Sequence, residues 1–193
     1  MPSGPGVAME PLFVSIGVVA LAEIGDKTQL LALLMATRFR QPAPVIAGVA
    51  LATLLNHSLA ALAGSLLTSV FDGPWVHWAV GLSFIAMAGW ALIPDTLAEG
   101  PAKFSERYGP FVATFTSFFL IEIGDKTQIA TAALAAHYQA IVPVVAGTTL
   151  GMLLADVPVV LLGGVAAKRL PLKPIRFVAA AAFAALGIAV LMS

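Results

Sequence analysis

The chain has 193 residues, 60% of them hydrophobic and only 10% charged, with zero formal net charge and a mean hydropathy of +0.97. Soluble domains carry about 25% charged residues, so a water-exposed surface cannot be assembled from this composition, and an integral membrane protein is implied. Neutrality gives no sign of a nucleic-acid or acidic partner, and the absence of cysteine excludes disulfides, thiolate metal sites and cysteine nucleophiles.

Residues 1–11 contain no Lys or Arg, so they lack the basic segment of a cleavable signal or transit peptide. The first apolar stretch is therefore read as inserting and staying. A helix needs about 20 mostly apolar residues to cross the hydrocarbon core. That window places spans at 12–37, 43–70, 75–93, 111–136, 141–167 and 175–192. Gln41-Pro42-Ala43-Pro44, Asp72-Gly73-Pro74, Pro94-Asp95, Pro143, Pro171 and Pro174 punctuate the cuts. The basic residues test the count. Arg38, Arg40, Lys103, Arg107, Lys168, Arg169, Lys173 and Arg176 all fall at the connections after spans 1, 3 and 5, hence on one side. By the positive-inside rule that side is cytoplasmic and both termini face outward.

One pattern, Leu-x-Glu-Ile-Gly-Asp-Lys-Thr-Gln, occupies 21–29 and recurs 99 residues later at 120–128, each time within an apolar span. Val45-Ile46-Ala47-Gly48 is matched at the same offset by Val144-Val145-Ala146-Gly147. Three spans per repeat, an odd number, force the halves into opposite orientations. The expected fold is an all-α integral membrane protein of six transmembrane helices, built as two inverted-topology three-helix repeats. They run over about 11–93 and 111–192, joined by a cytoplasmic linker at 94–110 within a single domain, 1–193. Transporters with inverted repeats hold substrate near the bilayer midplane, and both motifs lie at that depth.

An Asp or Lys at a helix centre in the bilayer costs roughly 2.5–3.5 kcal/mol on insertion scales, so the repeated charges are read as functional. In a regular helix Glu23, Asp26 and Lys27 stand at i, i+3 and i+4 on one face, as do Glu122, Asp125 and Lys126. Gly25 and Gly124 permit close approach or local unwinding. Thr28, Gln29, Thr127 and Gln128 add neutral oxygens. An all-oxygen set of Glu23, Asp26, Gln29, Glu122, Asp125 and Gln128 suits Mg²⁺, Ca²⁺ or Mn²⁺ and not a soft metal. Lys27 and Lys126, with Thr28 and Thr127, are read as counter-ions or gates. Four carboxylates against two lysines leave two negative charges when all are ionised. One divalent cation or two protons neutralises them, which suggests exchange of one for the other.

Glu-x-Gly-Asp-Lys-Thr, once in each half of a small six-span chain, resembles the signature of the UPF0016 family, the Gdt1 and transmembrane-protein-165 group of cation/proton antiporters. Both copies fit it, and the likeness covers essentially the whole chain. The resemblance implies proton-driven export of Mn²⁺, with Ca²⁺ carried by eukaryotic members, and no cofactor or enzymatic activity. It places the acids Glu23, Asp26, Glu122 and Asp125 at the cation site. Lacking the long acidic central loop of eukaryotic members, the chain resembles the compact bacterial ones, for which the plasma membrane is the expected location.

Three further polar residues lie deep in spans. Asp156 in span 5 corresponds to His57 in span 2, beside Asn56, and the three are read either as a proton relay or as hydrogen-bonded helix contacts. His77 and His137 sit at outer span ends and read as solvated, Trp75 and Trp78 as interfacial anchors, Gly147 and Gly151 as a packing seam. Gly163-Gly164 has no phosphate-loop context. The rival functions are a cation channel, an exporter of a cationic metabolite, and a metal-using membrane enzyme. The small span count leaves a homodimer open as a partner.

Overall fold

The computed structural model describes residues 5–71, 73–94, 108–162 and 172–192, and among these it contains eight helices and no strand. They are α1 (Pro5–Glu23), α2 (Lys27–Phe39), α3 (Pro42–Val70), α4 (Pro74–Ala91), α5 (Gly109–Glu122), α6 (Lys126–Tyr138), α7 (Ile141–Leu162) and α8 (Leu172–Met192). By length and composition α3, α7 and α8 are long and apolar enough to cross a membrane. Prolines open α3 and α4 and stand in the first turn of α5, where a missing N–H removes no helical hydrogen bond. The expected continuation of the fifth span beyond Leu162, with Gly163-Gly164, and the linker from 95 to 107 lie outside the described residues.

The stretches 12–37 and 111–136, expected as continuous helices, are each two. Gly25 has φ +81 and Gly124 φ +77, a left-handed backbone that an L side chain adopts at a cost of roughly 1–2 kcal/mol. The helix stops at Glu23 and Glu122 and restarts with Asp26 and Asp125 as N-caps of α2 and α6. This corrects the reading of Glu23, Asp26 and Lys27 as one face of a regular helix. The acids instead flank a turn. The restarted helices also end alike, at left-handed Arg40 and Gln139, whose N–H groups bond Ala36 O at 2.9 Å and Ala135 O at 3.0 Å.

The helices interleave across the two halves. α1 lies along α7 and α3 along α5, α3 also meets α6 and α7, and α4 pairs with α8. Small residues allow these approaches. A Cβ on Gly147 would lie 2.5 Å from Leu12 O and one on Gly151 2.7 Å from Ile16 O, so the expected glycine seam is the α1–α7 contact. At Gly64 a Cβ would overlap the Ala132 backbone of α6. Gly64→Val should therefore push α3 from α6 and lower stability by about 1–3 kcal/mol, read as a lower melting temperature in detergent. An undiminished temperature would show that the contact yields freely.

Polarity is arranged the reverse of a soluble protein's. Leu51, Leu54, Leu62, Leu66, Leu154 and Leu161 are exposed, while Glu23, Asp26, Glu122, Asp125, Asn56, His57 and Asp156 are buried. Along α3 and α7 this polar layer separates two apolar clusters. One contains Val18, Phe84, Leu134 and Phe183 from α1, α4, α6 and α8. The other contains Leu31, Met35, Val49 and Phe118 from α2, α3 and α5.

Candidate functional site

The two turns at the motifs are built alike. Asp26 N–H bonds Glu23 O and Asp125 N–H bonds Glu122 O, both at 3.0 Å. Gln29 Oε1 accepts from Gly25 N–H at 3.0 Å, and Gln128 Oε1 from Gly124 N–H at 2.8 Å. Each motif glutamine thus braces its own break, and Gln29 Nε2 also donates to Ala155 O at 3.1 Å. Each threonine hydroxyl lies against the acids of its own motif. Thr28 Oγ1 donates to Glu23, and Thr127 Oγ1 lies 3.2 Å from Asp125 Oδ2 and 3.4 Å from Glu122 Oε2.

The lysines reach across to the other copy. Lys27 Nζ lies 2.6 Å from Asp125 Oδ1, and Lys126 pairs with Asp26. Two reciprocal ion pairs therefore clamp the breaks face to face. Each lysine stands beside an aspartate of its own motif in sequence, and neither copy alone announces a pairing between motifs.

Within the clamp, one carboxylate oxygen from each of Glu23, Glu122 and Asp125 lies within 4.8 Å of the others, and all three residues are buried. Oxygens around a Ca²⁺-sized cation sit 2.3–2.6 Å from it, so opposed ligands are at most about 5 Å apart. The spacing fits one ion. Glu23 Oε1 and Glu122 Oε1 have no hydrogen-bond partner among the described residues. Buried acceptors in this condition are held at several kcal/mol of cost unless a cation or proton satisfies them.

The polar residues of α3 and α7 join the same layer. His57 Nε2 is 4.0 Å from Glu122 Oε2. Asp156 is fully buried, neither of its oxygens has a hydrogen-bond partner among the described residues, and it is near enough to Asp26, Glu122 and Glu23 to act on all three electrostatically. Asn56 Nδ2 donates to Phe119 O at 3.1 Å and so ties α3 to α5. With Asp156 included, five carboxylates face two lysines, one more than the motifs alone supply. Trp75 and Trp78 are 49% and 55% exposed, and His77 and His137 line a shared cavity with Thr68. One neighbour of the site went unrecognised in the sequence. Arg176, counted there only as a topology marker, lines a small cavity with Asp26 and Lys126. Nothing in its local pattern announces this, because the contact depends on how α8 lies across α1.

The family described as Divalent cation/proton antiporter GDT1 matches residues 11–99 and 110–193, one stretch around each copy of the motif. The chain belongs to this family. It is accordingly a transporter and not an enzyme, in a family whose members exchange divalent cations for protons across membranes. A Vibrio cholerae protein named "Putative manganese exporter" is 54% identical over 182 residues, covering 94% of this chain and 90% of that protein. Rice GDT1-like protein 3 is 31% identical over 177 residues, 77% of this chain and 61% of the plant protein. Arabidopsis thaliana GDT1-like protein 3 is 30% identical over 158 residues, 68% and 54% of the two chains. No solved structure matches the chain.

Proposed function

We propose that this antiporter exports Mn²⁺, with Ca²⁺ as the lesser substrate, in exchange for protons through one midplane site shared by both motifs. The observation that carries the reading is the convergence of Glu23, Glu122 and Asp125 oxygens from two distant segments within 4.8 Å. Asp26 completes the acidic set from its pair with Lys126. Gln29 and Gln128, each already accepting one N–H, have only a second lone pair to give. Membership of the antiporter family and the Vibrio relative's printed name support the direction and the metal.

The architecture proposed with it is six spans in two inverted repeats. α1 with α2, and α5 with α6, each make one broken span, a form that places helix ends at a transported ion. Arg38 and Arg40 at the end of α2, and Lys173 and Arg176 at the start of α8, then lie on the cytoplasmic side of the plasma membrane, with the termini outside. Asp156 and His57 sit beside the glutamates as proton-handling partners. The full burial of Glu23 and Glu122 favours occlusion over an open channel.

Proteoliposomes carrying an internal pH dye test this. Mn²⁺ should drive proton movement in the opposite direction, Ca²⁺ should do so more weakly, and Mg²⁺, which dehydrates reluctantly, least. Mn²⁺ flux without proton movement would indicate a channel. Inhibition by lysine or arginine, but not by excess Ca²⁺, would indicate a metabolite exporter.

A further inference from the structure

The two motif breaks are alike in sequence and bracing but not in cover. A Cβ on Gly25 would come within 2.6 Å of Leu172 Cδ2, whereas one on Gly124 meets nothing within 4 Å. Leu172 opens α8. One turn on, Arg176 lines a narrow cavity with Gly25, Asp26, Lys126 and Ala91, and Ala179 continues its wall on the next turn. Residues 172, 176 and 179 form one stripe of α8, laid over the first break only. The α4–α8 pair packs against α1 and α6, and its principal contacts do not include α2 or α5.

The route along α4 and α8 from their other end is apolar. Between the acids and the other end of α4 and α8 lies the apolar cluster of Val18, Val80, Phe84, Leu134 and Phe183, in which both phenylalanines and Leu134 are fully buried. Among the described residues, the cavity under α8 lies at the end of the molecule where α4 finishes, at Ala91, and α8 starts. That end carries Lys173 and Arg176.

We propose that this cavity is the path by which the cation reaches the site from the basic side, and that Arg176 controls passage through it. The inference rests on the reading of the motif acids as the cation site. A divalent ion moving toward Asp26 must pass the Arg176 guanidinium and approach the Lys126 ammonium, so two like charges oppose it until one is displaced. Arg176 is only half-buried, and its side chain is long enough to carry the charge outward. Leu172 closes the glycine turn beneath it. Movement of the first two turns of α8 thus uncovers the turn and withdraws the charge together.

The cysteine-free chain makes the test direct. Ala91→Cys and Ala179→Cys should each react with a membrane-impermeant cationic thiol reagent applied from the basic side, and Mn²⁺ should slow the reaction. Trp75→Cys, exposed near the other end, reports the sidedness of the preparation. Arg176→Gln should lower the KM for Mn²⁺ presented from the basic side by about tenfold, on the scale of electrostatic focusing in charged clefts, and change KM more than kcat. Labelling of Ala179→Cys only from the opposite side, or an unchanged KM in Arg176→Gln, overturns the proposal. Labelling reads access whether or not ions are carried. Labelled thiols that Mn²⁺ does not protect would therefore contradict the site assignment while supporting the path.

Discussion

Glu122→Gln is expected to abolish Mn²⁺-driven proton flux, and Glu23→Gln to do the same although its residue lies in the other half of the chain. Each substitution keeps the shape and removes one charge from the three-carboxylate cluster. Loss of a partner outside a metal's ligand shell already costs roughly 10–100-fold in affinity or activity, so loss of a direct ligand should exceed about a hundredfold. Folding should survive, because neutralising an acid among five reduces repulsion within the polar layer. Flux in proteoliposomes, normalised to folded protein by gel filtration, measures this. A wild-type rate in either variant would place the ion elsewhere.

The second large effect is on stability. Lys126→Met removes the ammonium that pairs with Asp26, where the two side chains are 5% and 0% exposed. Taking one partner from a buried pair costs about 3–5 kcal/mol, a large fraction of what holds a small protein together. Lys27→Met removes the matching contact to Asp125, but the Lys27 side chain is 20% exposed, so its loss should be the smaller. Thermal denaturation in detergent should rank wild type above Lys27→Met, and that above Lys126→Met. The double variant Lys126→Met with Asp26→Asn should recover part of the loss, since no buried charge then stands opposite the methionine. Equal melting temperatures in the two single variants would show that the clamp is not asymmetric.

Much of this was legible in the sequence because hydrophobicity and charge are local signals. The apolar windows located α3, α7 and α8, and the motif duplication anticipated two matching segments that the structure brings together. The break inside each motif was legible only as a possibility. Gly25 and Gly124 allow unwinding, but a positive φ is decided by what the turn gains, here the bonds from Gln29 and Gln128 back to the glycine N–H groups. The crossing of Lys27 to Asp125 and of Lys126 to Asp26 could not be read from either copy alone. Within one motif, each lysine has an aspartate next to it in sequence. Asp156 stood out as an isolated acid in an apolar helix, while its place among the motif acids depends on α7 packing along α1. Arg176 carried no local signal at all.

One cation site made jointly by the two halves would hold one ion per chain. Equilibrium binding of Mn²⁺ to the purified protein, followed by the loss of the free-ion paramagnetic resonance signal, measures it most directly. A single Mn²⁺ per chain is expected in the wild type, and none at the same concentration in either Glu23→Gln or Glu122→Gln. Two ions per chain, with one retained in each variant, would contradict it and assign a separate site to each motif.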